Sequence, residues 1–121
     1  MNTLANDLTA ARALIANRKD WQQGALVDAD GCMCLLGAIG VATDLFKREP
    51  LESGVCKAYD DLDKSPAVQA LAMLVCKQED RQYKPQNTSV YVHSFNDSNE
   101  HEQVIGLLDT AINNLQGIAN D

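Results

Sequence analysis

Apolar residues return every three or four positions over most of this chain. Leu4, Leu8, Ala11 and Ile15 are spaced by four, three and four residues, which puts them on one stripe of a helix. Arg12, Asn17, Arg18 and Lys19 lie off that stripe or near its end, where cations suit the negative end of the helix dipole, so the helix is expected to stop near Asn17 to Lys19. Trp21 to Gly31 has no helical period and closes on Asp30-Gly31, a turn signal. It reads as a connection with room for a short strand near Ala25 to Val27. From Cys34 to Phe46, Leu35, Leu36, Ala38, Ile39, Val41, Ala42, Leu45 and Phe46 cover most of a helix's circumference, which predicts a central, nearly enclosed helix. Gly37 and Gly40 inside it each cost about 1 kcal/mol relative to Ala, and close approach of a neighbouring backbone is the expected compensation.

The second half reads in the same way. Leu51, Val55, Ala58, Tyr59 and Leu62 form a shorter stripe after Pro50 and predict a third helix. Ser65-Pro66 offers an N-cap and a first-turn proline to a fourth, carried by Val68, Leu71, Ala72 and Val75 and fading at Gln78 to Arg81. A polar loop follows from Glu79 to Asn87. Thr88 to Phe95 is rich in β-branched and aromatic residues and predicts a strand, with 25–27 as its only available partner. Asn96 to Glu100 reads as a helix start, with Asp97 three residues before Glu100 as in a capping box. The helix it begins carries Val104, Leu107, Leu108, Ala111, Ile112 and Leu115 on one face and ends near Gly117. The expected fold is mainly α: a single compact domain over residues 1–121, with about five helices and at most a short two-stranded β-ribbon. The last helix is expected to pack on the central one and bring Asn96, Asp97 and His101 toward the turn at Asp30-Gly31.

Composition narrows the function classes. A chain of 121 residues buries roughly two thirds of its unfolded surface, enough for one core. The net charge of −7 without a cluster of Lys and Arg argues against direct nucleic-acid binding, although an acidic surface can steer toward a basic partner. No signal peptide is read, and the apolar run from Cys32 to Ala42 is too short to span a membrane. A cytoplasmic protein with reduced thiols is expected from four cysteines in such a chain.

Two segments carry a resemblance. The first is Leu8-x3-Arg12-x-Leu14-Ile15, then Trp21-x2-Gly24, then Asp28-x-Asp30-Gly31-Cys32-x-Cys34-Leu35-Leu36-Gly37-Ala38. The second is Phe95-Asn96-Asp97, then His101-x2-Val104-Ile105-x-Leu107-Leu108-Asp109-x-Ala111-Ile112. Together they resemble a family of small bacterial and phage proteins described as a domain of unknown function. The resemblance implies a shared fold and a bacterial or phage source, and it assigns no residue a role.

Candidate chemistry centres on Cys32 and Cys34 at a helix start, where backbone N–H groups stabilise a thiolate. With His93 or His101 as base and Asn96 or Asn99 as orienter, Cys34 or Cys32 would resemble a cysteine hydrolase or acyltransferase site. Against this, no nucleophile signature flanks either thiol, and cysteine is commonly a small core filler. Zinc is not expected, because Cys56 and Cys76 stand alone on predicted helices and only one Cys-x-Cys pair exists. Asp28-x-Asp30-Gly31 lacks the later Glu of a calcium loop, since Gly37 occupies that position. No metal and no cofactor are expected. His101 is expected to fasten the Asn96-Asp97 turn, and Trp21 to cover the core.

Function is therefore sought at a polar edge made of Trp21, Asp28, Asp30, Asn96, Asp97 and His101. The leading expectation is a small non-enzymatic accessory protein that binds a host or phage protein, as a phage-encoded modulator or inhibitor of a host system. A cysteine-dependent enzyme and a small-molecule sensor with a pocket near Trp21 are the alternatives.

Overall fold

A computed structural model describes residues 3–117, and among them it is mainly helical, with six α-helices and two short 3-10 turns. Helix α1 spans Thr3–Ile15 and buries Ala5, Leu8, Ala11 and Ile15, the predicted stripe shifted only at its first turn. Helix α2, Leu35–Ala42, buries every residue from Leu35 to Gly40. It stops four residues before the expected end. Asp44 turns left-handed (φ 61°) while Leu45 N–H bonds Gly40 carbonyl at 2.8 Å and Asp44 N–H bonds Val41 carbonyl at 3.2 Å, closing the helix in a Schellman motif. The same device ends α4 at Asp80 (φ 55°), through Arg81 N–H to Cys76 carbonyl and Asp80 N–H to Lys77 carbonyl.

Both glycines of α2 are explained by crowding. A Cβ on Gly37 would stand 1.8 Å from the Leu26 carbonyl oxygen, so the backbone approach expected there is present. At Gly40 the neighbour is a side chain instead: the ring of Phe46 folds back and would meet a Cβ at 2.1 Å.

Helix α3 (Val55–Asp63) starts later than its stripe suggests, and α4 (Pro66–Gln78) is capped by Ser65, whose Oγ accepts from Val68 N–H at 3.5 Å. The segment expected to be a strand is helix α5, Thr88–Ser98. Its buried positions are Thr88, Ser89, Tyr91, Val92 and Asn96, spaced as on one face of a helix. Three of those five are polar, so an apolar count hides the period, and β-propensity yields to packing against α4. The start of α5 is held by α3, since Asp63 Oδ1 accepts from Ser89 N–H at 2.8 Å. Asn96 and Asp97 consequently belong to the end of α5, not to the start of the last helix. That helix, α6 (His101–Leu115), begins at Glu100, whose N–H donates to the side chain of Gln103 at 2.7 Å.

The ribbon shrinks to isolated bridges. Met33 pairs in parallel with Trp21 and antiparallel with Val27, and 25–27 has no partnership with α5 as a strand. Helix α1 packs on α2 and α6, and α4 packs on α5 and α6. The principal neighbours of α6 are thus α1 and α4, where α2 was expected. One buried cluster joins all six helices with the loop residues Trp21, Leu26, Val27 and Met33. No helix among the described residues is long and apolar enough to cross a membrane.

Candidate functional site

Four of the predicted site residues meet where the loop after α1 crosses the junction of α5 and α6. Asn96 is fully buried and uses its whole amide. Its Oδ1 accepts from the Trp21 indole N–H at 2.7 Å and from Leu35 N–H, at the first position of α2, at 3.0 Å. Its Nδ2 donates to Gln22 carbonyl at 3.2 Å and to Asp97 Oδ1 at 3.1 Å. Asp97 Oδ1 also accepts from Gly24 N–H at 3.0 Å, and Asp97 Oδ2 lies 3.1 Å from His93 Nε2 one turn earlier on α5. Gln23 adds bonds to the carbonyls of Asn96 and Asn99. The expected bond from His101 to the Asn96-Asp97 turn is replaced by another. His101 Nε2 bonds the Ile15 carbonyl at 2.7 Å, and its ring rests on Trp21 with 5.6 Å between centroids. The guanidinium carbon of Arg18 lies over the Trp21 ring, 6.0 Å from its centroid.

This group is a knot that ties loop 21–24 and the start of α2 to α5. Each polar atom of Asn96 has a partner inside the protein, so the residue has nothing left to offer a ligand.

Asp28 and Asp30 stand apart from it. Asp28 Oδ1 accepts from Asp30 N–H and Cys32 N–H, both at 2.9 Å, and Gly31 N–H bonds Asp28 carbonyl at 3.0 Å with Gly31 at φ 80°. Arg48 closes the turn from outside by donating to Gly31 carbonyl at 2.8 Å. This is the turn read from the sequence.

Cys34 is the N-cap of α2, and its Sγ accepts from Gly37 N–H at 3.4 Å. Burial pushes its thiol up to about 11, against the lowering effect of the Gly37 and Leu36 N–H groups. It is a neutral thiol at pH 7, and among the described residues no hydrogen bond joins it to either histidine. Partial burial and the carboxylates of Asp28, Asp30 and Asp20 raise Cys32 as well. Its Sγ donates to the Lys19 carbonyl. The helix-start argument for a reactive thiol therefore loses to desolvation at Cys34. His93 keeps one buried ring nitrogen, Nδ1, without a partner. Among the described residues, no group of three or more His, Cys, Asp or Glu is arranged to hold a metal ion.

Sequence reasoning missed a different feature. Between the loop residues Ala25, Leu26 and Val27 and the segment Pro50, Leu51, Val55 and Tyr59 lies a mostly apolar cleft of about 300 Å³. Val55 is 44% exposed at its rim, and a smaller hollow lined by Tyr59, Ser89, Val90 and His93 shares Tyr59 with it and lies on α5, where Val90 is 56% exposed. Burial raises the Tyr59 hydroxyl above its ordinary value, helped by Cys34 and Asp97. Leu51, Val55 and Tyr59 read as core because they share a helical stripe with Ala58 and Leu62. Only the last two are buried in α3. The available signal was Gly54, which starts the helix too late for Leu51 to belong to it.

The chain belongs to a family of unknown function, DUF6197, which matches residues 1–114. No curated protein and no solved structure matches it.

Proposed function

We propose that this member of a family of unknown function is a non-catalytic binding protein whose partner is another protein, held at the cleft between Val27 and Val55. One observation carries the reading: the apolar cleft with Val55 exposed at its rim, beside a hollow that shares Tyr59 with it and exposes Val90. An apolar patch left in water beside a concave apolar surface is the pattern of a contact site, whereas singly exposed apolar residues such as Met73 need no such reading. The residues that suggested chemistry support the same choice by contrast, since Cys34 is a buried neutral thiol and Asn96 is fully bonded within the fold.

The finer form of the proposal is a phage-encoded modulator or inhibitor of a bacterial host system, working in the host cytoplasm. Its support is the small acidic chain and the likeness of its two motif segments to bacterial and phage proteins. Affinity capture from a bacterial lysate tests the reading when wild type is run beside the Val55→Asp, Val90→Asp double variant. A protein retained by wild type and lost by the double variant is the expected result. Identical capture by the two, with the variant's circular dichroism unchanged, would reject this cleft as the contact surface.

A further inference from the structure

Three extended segments lie side by side around Met33: Trp21 is on its parallel side and Val27 on its antiparallel side. On the antiparallel side the two bonds run from Cys34 N–H to Leu26 carbonyl at 3.3 Å and from Asp28 N–H to Cys32 carbonyl at 2.9 Å. They flank the Val27–Met33 pair, which is therefore the non-hydrogen-bonded kind, and the N–H and C=O of Val27 point the other way, out of the ribbon. Among the described residues neither group has a hydrogen-bond partner. Val27, only 4% exposed, lines the apolar cleft with Ala25 and Leu26, and Leu51, Val55 and Tyr59 line it from the other segment.

An unpaired backbone donor and acceptor beside an apolar hollow selects among occupants. A purely apolar molecule would fill the hollow but leave both backbone groups of Val27 unmet, which is costly once water is excluded. An α-helix presents no free backbone groups along its side. An extended peptide meets both demands, because its own N–H and C=O pair with the edge while alternate side chains point into the cleft. The groove that adjoins the cleft at Pro50 and Leu51 carries Glu49 and Glu52 against a single Lys47, on a chain of net charge −7. A basic residue next to the apolar one therefore suits the rim better than an acidic one.

We infer that the cleft receives an extended, apolar-to-basic segment of a partner protein, which adds as a strand to the edge at Val27 and seats an apolar side chain against Leu51, Val55 and Tyr59. The inference rests on the protein-binding reading above and specifies how the partner is held.

The test uses the intact protein and a displayed library of random linear peptides about twelve residues long, counter-selected on Val55→Asp and on Leu51→Asp so that one badly folded variant cannot decide the outcome. Enriched peptides are expected to alternate apolar and polar residues, and to slow hydrogen exchange at the Val27 amide by about tenfold or more. N-methylation of alternate peptide amides should weaken binding about tenfold in one register and little in the other. Strand addition is overturned if no peptide distinguishes wild type from both variants, if bound peptides leave Val27 exchange unchanged, or if both methylation registers bind alike. Sedimentation showing a dimer that Val55→Asp dissolves would also overturn it, by giving the edge to a second copy of this chain. Failure of the peptides alongside a lysate partner still sensitive to Val55 would remove strand addition and leave the protein-binding reading standing.

Discussion

Replacing Asn96 by alanine should damage this fold more than any other single polar deletion. The side chain is fully buried and joins Trp21 Nε1, Leu35 N–H, Gln22 carbonyl and Asp97 through four bonds of 2.7 to 3.2 Å. Truncation leaves the first three without a protein partner, and each buried orphan costs about 1–3 kcal/mol. Asp97 loses less, because it is partly exposed and keeps Gly24 N–H. Water can reach Gln22, which is half-buried, so the expected total is about 3–5 kcal/mol, with a fall in Tm of roughly 15 °C. Trp21→Phe keeps an aromatic ring but loses the indole N–H and part of a buried bicycle, while Asn96 Oδ1 still holds Leu35 N–H, so its cost should be about 1–3 kcal/mol. Because both changes break the same bond, the double variant should be less destabilised than the sum of the two by roughly 0.5 kcal/mol or more. Urea denaturation with a common m-value measures all four corners of this cycle. A loss under about 1 kcal/mol for Asn96→Ala, or strict additivity, would show that Asn96 is not the tie between loop, α2 and α5.

Three further outcomes are expected. Gly37→Ala forces a Cβ to within 1.8 Å of the Leu26 carbonyl and should fail to fold or lose several kcal/mol, whereas Gly106→Ala, inside α6 with nothing within 4 Å, should gain about 0.5–1 kcal/mol; paired thermal melts decide, and equal effects would refute the contact argument. In native protein at pH 7 a thiol reagent should modify exposed Cys56 quickly and buried Cys34 and Cys76 only on unfolding; rapid reaction at Cys34 would revive the cysteine-enzyme reading. The folded-state value of Cys34 is raised from 9.0 to about 11, so the folded protein holds a proton that the unfolded chain releases; its contribution is flat below about 9 and stability falls as pH rises toward about 11, by up to about 1.4 kcal/mol per unit. Cys34→Ser, which keeps an acceptor for Gly37 N–H, should flatten that part of the pH profile, and an unchanged slope would assign it to other groups.

Helices whose buried faces are apolar were legible from spacing alone. Leu8, Ala11 and Ile15, Val68, Leu71, Ala72 and Val75, and Val104, Leu107, Leu108, Ala111 and Ile112 all lie in the core on the faces their periods predict. The same logic failed at α5, whose buried face includes Thr88, Ser89 and Asn96, polar groups whose burial depends on partners distant in the chain. Asn96 and Asp97 were recognised as important polar residues, but their partners at Trp21, Gln22 and Gly24 lie over seventy positions away.

What the sequence by itself determined is the helical class, the enclosed character of α2 and the turn at Asp28 to Gly31, because each follows from local periodicity or from bonds within a few residues. Tertiary structure alone decided that α5 is a helix, that Cys34 is a protonated thiol, and that Val27 and Val55 face each other across an open cleft. Those outcomes depend on which surfaces exclude water, and that is settled only when segments far apart in the chain pack together.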